Sequence, residues 1–117
     1  MRLSFLIAAM LLMTVQPGRA AGFLAGFEDV PIMPGIEVIG DVGSAFDSPA
    51  GRIVEAYASG DVTRDAVREF YQTALPQLGW VRAGTLMFSR EGERLTLELL
   101  GKAGAVTVRF ELGPTPK

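Results

Sequence analysis

Asp47 and Glu55 flank a short polar break, Ser48-Pro49-Ala50-Gly51, and a hairpin there would bring two carboxylates near each other. Paired carboxylates do the work of glycoside hydrolysis, one as acid and the other as base or nucleophile. A domain this small has little room for the enclosed pocket that tunes two such groups apart. Arg52, Glu55, Arg94, Glu98, Arg109 and Glu111 form a second constellation, of mixed sign. They fit a polar strip on an open sheet face. The strip serves either as a binding surface or as solubilising cross-strand pairs, each contributing about a few tenths of a kcal/mol. Glu37, Asp41 and Asp47 supply oxygens, but without the dense spacing of a calcium loop. Gly40, Gly43, Gly51 and Gly60 follow no phosphate-loop pattern. No catalytic, cofactor-binding or metal-ligating residue is therefore expected, and no cofactor.

The absences narrow the chemistry further. The chain has no histidine and no cysteine. Imidazole bases, His-based metal sites, thiol nucleophiles, thiolate zinc sites and disulfides are all excluded. With 117 residues, 49% of them hydrophobic and 21% charged, the chain suits one small folded domain. Without disulfide staples that domain must stand on its core. The net charge is −2 and the only lysines are Lys102 and Lys117, so no clustered cationic face points to a nucleic-acid partner.

Residues 1–20 have the organisation of a secretory leader. Arg2 precedes an apolar run from Leu3 to Val15, and Gln16-Pro17-Gly18-Arg19 breaks it. Gly18 and Ala20 are small residues at the positions a signal peptidase reads, which places cleavage after Ala20. The run of 13 residues is short of the ~20 that a membrane span needs. A periplasmic or secreted protein with no stable membrane span is expected.

The remaining chain must position the charged residues. Residues 21–35 form an N-terminal arm, with Phe23, Leu24 and Phe27 either packed on the domain or in a disordered tail. Ile36, Val38 and Ile39 suggest a brief extended segment that Gly40 and Asp41 end. Val42 to Asp47 and Arg52 to Ala58 read as a hairpin around Pro49 and Gly51. In the second strand Val54, Ala56 and Ala58 make a small apolar face, suited to a helix, opposite Ile53, Glu55 and Tyr57. Thr63 to Trp80 then reads as one amphipathic helix. Val67, Phe70, Tyr71, Ala74, Leu75 and Leu78 line its apolar face, Thr63 caps it, and Gly79 and Trp80 end it. Pro76 predicts a kink or a restarted turn.

Beyond the helix, Leu86 to Arg90 and Glu93 to Leu100 flank Glu91-Gly92, a two-residue hairpin loop. This register sets Phe88 opposite Leu95 and Leu86 opposite Leu97. A turn at Gly101-Lys102-Ala103-Gly104 sets Leu97 opposite Val108, Leu95 opposite Phe110 and Arg94 opposite Glu111. Leu95, Leu97, Leu99, Val106, Val108, Phe110 and Leu112 then share the face toward the helix, and the charged residues take the other. A three-residue loop at Ala83-Gly84-Thr85 sets Trp80 opposite Phe88 in the core, while a two-residue loop turns it outward.

Two segments carry a resemblance: FDSPAGRIVEA, from Phe46 to Ala56, and FYQTALPQLGW, from Phe70 to Trp80. With them the chain resembles a group of uncharacterised small exported proteins of alphaproteobacteria, a domain of unknown function. The second segment also looks like a wider module of secreted bacterial domains. The likeness runs from about Pro31 to Leu112. It implies fold and export, and brings no activity, cofactor or catalytic residue.

The expected architecture is α+β: an antiparallel sheet of four to six strands with one amphipathic helix packed on one face, in the order two strands, helix, three strands. The domain spans 36–113, with a frayed tail at 114–117. The expected function is that of a non-enzymatic exported module binding an envelope protein or peptide through a sheet edge or the polar sheet face. One alternative is a carrier of a small apolar ligand or lipid, with Phe23, Leu24 and Phe27 closing a groove between helix and sheet. A further one is a carboxylate-dependent hydrolase built on Asp47 and Glu55.

Overall fold

A computed structural model of the chain describes residues 22–27 and 29–116, with the backbone alone at 41–44. The leader expected over 1–20 lies outside the described residues. Among the described residues, six strands and one helix follow in the order β1 (Ile36–Ser48), β2 (Gly51–Gly60), α1 (Arg64–Gln77), β3 (Val81–Gly84), β4 (Met87–Arg90), β5 (Glu93–Lys102) and β6 (Ala105–Pro114). They form one antiparallel sheet, ordered β1-β2-β6-β5-β4-β3. The fold is α+β, as its alternating patterns imply, with a fourth short strand after the helix. Among the described residues, no helix is long and apolar enough to cross a membrane.

The helix lies where its periodicity demands. Val67, Tyr71 and Leu75 are fully buried, and Phe70, Ala66 and Leu78 pack at the margin of the core. The Thr63 hydroxyl accepts from the Ala66 N–H at 3.0 Å, which satisfies one of the helix's orphan donors. Pro76 breaks less than expected, because the helix continues to Gln77. Proline removes the bond to Gln72, but only one turn remains, and that turn is closed from beyond. The Trp80 N–H reaches the Leu75 carbonyl and the Gly79 N–H reaches Pro76, the paired bonds of a Schellman motif. Gly79 sits at φ +92°, a conformation that penalises any side chain.

The covered face of the sheet carries the expected residues. Val54, Ala56 and Ala58 from β2, Phe88 from β4, Leu95 and Leu97 from β5, and Val106, Val108, Phe110 and Leu112 from β6 are all buried. Two registers depart from expectation. The β5–β6 turn needs only Ala103 and Gly104, so Gly101 and Lys102 stay in the ladder. Leu97 pairs with Phe110, Leu95 with Leu112, and Arg94 with Gly113. A slip of two preserves every face, which is why the apolar pattern could not detect it. Around β3, Arg82 rather than Trp80 pairs with Phe88, across an irregularity at Ala83. Trp80 still faces the core, at 2% exposure. The expected break at Gly40 and Asp41 is a register shift inside one long strand, β1.

The arm is part of the core. Phe23 bridges Pro31, and Leu24, Phe27, Val30, Ile32 and Met33 are buried. Phe27 meets Phe110 edge to face at 6.3 Å between ring centres, and Tyr71 meets the same ring at 5.6 Å. Every polar tip of the surrounding aromatics is used to hold the arm. The Tyr71 hydroxyl donates to the Pro31 carbonyl at 2.9 Å and accepts from the Met33 N–H at 3.2 Å, while Trp80 Nε1 donates to the Asp29 carbonyl at 3.1 Å. Arg90 lies 4.5 Å over the Trp80 ring and bonds the Asp29 carboxylate and the Leu78 carbonyl, each at 2.9 Å. Where the arm enters β1, a side chain at Gly60 would stand 1.9 Å from the Gly35 carbonyl oxygen. At the other end of the chain, the Thr115 N–H bonds the Gly92 carbonyl, so the ladder closes past Pro114.

Candidate interaction surface

Strand alternation divides the charged constellation. Positions Ile53, Glu55 and Tyr57 of β2 face away from the helix, because Val54, Ala56 and Ala58 face toward it. On the same open face lie Arg94, Thr96, Glu98 and Leu100 of β5, and Thr107, Arg109 and Glu111 of β6. Glu55, Glu98, Arg109 and Glu111 meet at its centre. Cross-strand pairing sets Glu55 beside Glu111, Tyr57 beside Arg109, and Arg109 beside Glu98.

Arg109 is the hub. Its guanidinium donates to Glu55 and to Glu111, the latter at 2.6 Å, and stands 3.7 Å from Glu98. Burial works against the cation, but hydrogen bonds with Glu111, Tyr57 and Glu55 outweigh it and hold the guanidinium above its ordinary range. Three carboxylates on one guanidinium leave this part of the face acidic.

Two of the expected site residues stand apart. Arg52 does not join the strip. It pairs with Asp47 at the hairpin tip, in phase with Val54, and so belongs to the face the helix covers farther along. Arg94 is on the open face but not beside Glu111, since the two-residue slip places it opposite Gly113 and gives Glu111 to Thr96 and Arg109. The carboxylate pair for hydrolysis is not assembled. Glu55 is in phase with the open face, Asp47 with the other, and Glu55 is held by Arg109. Among the described residues, no group of three acidic side chains is placed to hold a metal ion.

Apolar side chains surround the charges. Among the described residues, the large ones left exposed are Phe23, Ile39, Phe46, Tyr57, Val81 and Leu100. All but Phe23 are on this face: Ile39 pairs with Tyr57, Phe46 with Ile53, and Val81 with Ser89, itself opposite Arg94. Sequence reasoning singled out the charges and passed over Ile39, Phe46, Val81 and Leu100. Their signal was present in the alternation, which puts each in phase with a charged or polar neighbour. Arg90 was missed for another reason, since its partners in the arm are 61 residues away.

Among the described residues, hollows flank these elements. One of about 520 Å³ runs along the outer flank of α1, against Met33, Pro34, Phe70 and Ala74. A second, about 450 Å³, lies between Arg64 and Arg68 of α1 and the β3–β5 edge. A third, about 330 Å³, is on the open face beside Arg94. The space between helix and sheet, where a carrier would need its groove, is filled by Leu24, Phe27 and Tyr71. No protein family, curated protein or solved structure matches the chain.

Proposed function

We propose that this is an exported, non-enzymatic interaction module that binds an envelope protein or peptide on the open face of its sheet. The carrying observation is the distribution of apolar surface. The core is filled on one side of the sheet, while Ile39, Phe46, Tyr57, Val81 and Leu100 stay exposed together on the other. Apolar side chains interleaved with a charged cluster are the composition of a protein-binding patch. The edge strands β1 and β3 border this face and offer unpaired backbone for an added strand. Export rests on the leader-like composition of residues 1–20.

The test is capture from envelope extract, comparing the wild-type protein with the double variant Phe46→Ser/Tyr57→Ser and with a helix-surface control, Glu69→Lys. The expected result is a protein partner retained by wild type and control and lost by the double variant. Equal recovery by all three would refute the open face as the binding surface. A second reading, a carrier of a small apolar ligand or lipid, draws on the groove at Met33, Pro34 and Phe70. Stoichiometric lipid in the capture, with no protein, would favour that reading.

A further inference from the structure

Arg94 has a donor that nothing in the fold accounts for. Its Nε is shut away from solvent and lacks a hydrogen-bond partner. Among the described residues it is the only buried side-chain nitrogen or oxygen in that condition. The rest of its guanidinium finds no acceptor among them either. Register supplies the cause, because Gly113 opposite it has no side chain and Ser89 on the other side accepts nothing from it. Native folds rarely leave a buried donor unmet, even on a side chain that is otherwise half-buried.

Space lies in front of this donor. Arg94, Thr96 and Glu111 line a hollow of about 330 Å³, together with Ile53, Met87 and Pro114. That volume is at the small end of ligand sites, which run from roughly 300 to 1,000 Å³. The Glu111 carboxylate is turned to Arg109 at 2.6 Å, a cation it shares with Glu55 and Glu98.

We propose that this hollow binds a carboxylate carried on a small apolar body, with Arg94 as the residue that recognises it. A planar carboxylate matches the guanidinium fork, and the walls suit a compact hydrocarbon group. Arg94 supplies one cation, and Glu111 beside it repels a doubly charged phosphate more than a singly charged carboxylate. The carboxylate belongs either to a peptide lying on the open face or to a free acid. The peptide source rests on the interaction reading above and sharpens it: the partner's acid sits at the Arg94 end and its basic residues at the Arg109 end.

The probes are benzoate and acetyl-Ala-Ala-Phe with a free C-terminus, each compared with its uncharged amide. The readout is the NMR signal of the Arg94 Nε–H group, with the Ile53 and Met87 methyl signals. Saturable shifts are expected with an acid, weakened about tenfold or more for its amide and in Arg94→Gln. Tighter binding of the peptide acid identifies a peptide as the source, and tighter benzoate identifies a free acid. Absence of saturable shifts at Arg94, or equal binding of acid and amide, overturns the proposal. The acid–amide comparison uses the wild-type protein, so the result stands even if Arg94→Gln does not fold. Arg94→Met adds an independent measure: removing a buried donor without a partner should leave the unfolding midpoint unchanged or raised without ligand. If partner capture depends on Phe46 and Tyr57 while Arg94 ignores both acids, only this inference falls. If the acids bind and capture is indifferent to those residues, the interaction reading falls instead.

Discussion

The two faces of this sheet share one backbone and differ in what lies over them. On the covered face, Phe110, Val108 and Leu97 meet Tyr71 and Leu75 of the helix and Phe27 of the arm, and no charged residue is buried among them. On the open face, Tyr57, Ile39 and Phe46 are as large, yet they remain 38% to 48% exposed and alternate with ionised groups. The apolar content of a strand therefore does not decide which side becomes core. Continuity decides it: the covered face is apolar across β2, β6 and β5 without interruption, and a second layer can seal it. The open face is interrupted at its centre by Arg109 and its three carboxylates, so a dry layer could form there only by paying their desolvation.

Substitutions that compare the faces can break this contrast. The largest effect is expected for Phe110→Ala, at roughly 3–5 kcal/mol, against less than about 1 kcal/mol for Tyr57→Ala across the sheet. Denaturant unfolding measures both, and similar losses would mean that the faces are energetically alike. Next comes Tyr71→Phe, which strands the Met33 N–H and the Pro31 carbonyl and is expected to cost about 1–3 kcal/mol. Faster exchange of the Met33 amide would locate the loss in the arm.

Tyr71 also predicts an alkaline signature. Burial, partly opposed by the hydrogen bond with Met33, raises its phenol above the ordinary value of about 10. The unfolded chain then gives up this proton at lower pH than the folded one. The stabilisation is fully present below about pH 10 and is lost as pH rises beyond it. Tyr71→Phe should flatten that decline, and an identical alkaline slope would show that the hydroxyl is not sealed.

Smaller effects sharpen the open face. Arg109→Met leaves three carboxylates without their cation and is expected to cost about 1 kcal/mol at low salt, shrinking as salt is added. A salt-independent loss would assign Arg109 a packing role instead. Arg68→Ala removes a 2.6 Å pair with Asp65 whose carboxylate side is 91% exposed, and should change stability by no more than about 0.5 kcal/mol.

Local rules made much of this fold legible. The Thr63 cap, the Gly79–Trp80 stop, the small face of β2 and the alternation of β5 and β6 each depend on neighbours close in sequence. What escaped depends on distance or on a symmetry of the code. A hairpin shifted by two residues keeps all its faces, so only the ion pairs reveal it, and the Arg94–Glu111 pair expected from sequence became Glu98–Arg109. The arm escaped because Leu24, Phe27, Val30, Ile32 and Met33 follow neither a helical nor a strand period. Their burial is set by a pocket made of Tyr71, Trp80 and Phe110, which no local window contains. Of the candidate site, the charged hub stands out by residue type, whereas its apolar surround shows only in the phase of the strands.

The arm's hydrogen bonds reach partners 38 to 61 residues farther along the chain. Such long-range closure has a kinetic meaning. Leu24 and Phe27 are made before the strands they pack on, and Phe27 can meet Phe110 only after β6 has been made. Until then both stay in water, available to chaperones and proteases, and the helix lacks part of its cover. Folding of this chain should thus be governed by a late, non-local step and be slow for its size. Removing the first residues of the arm would not trim an end. It would take away the piece that completes assembly.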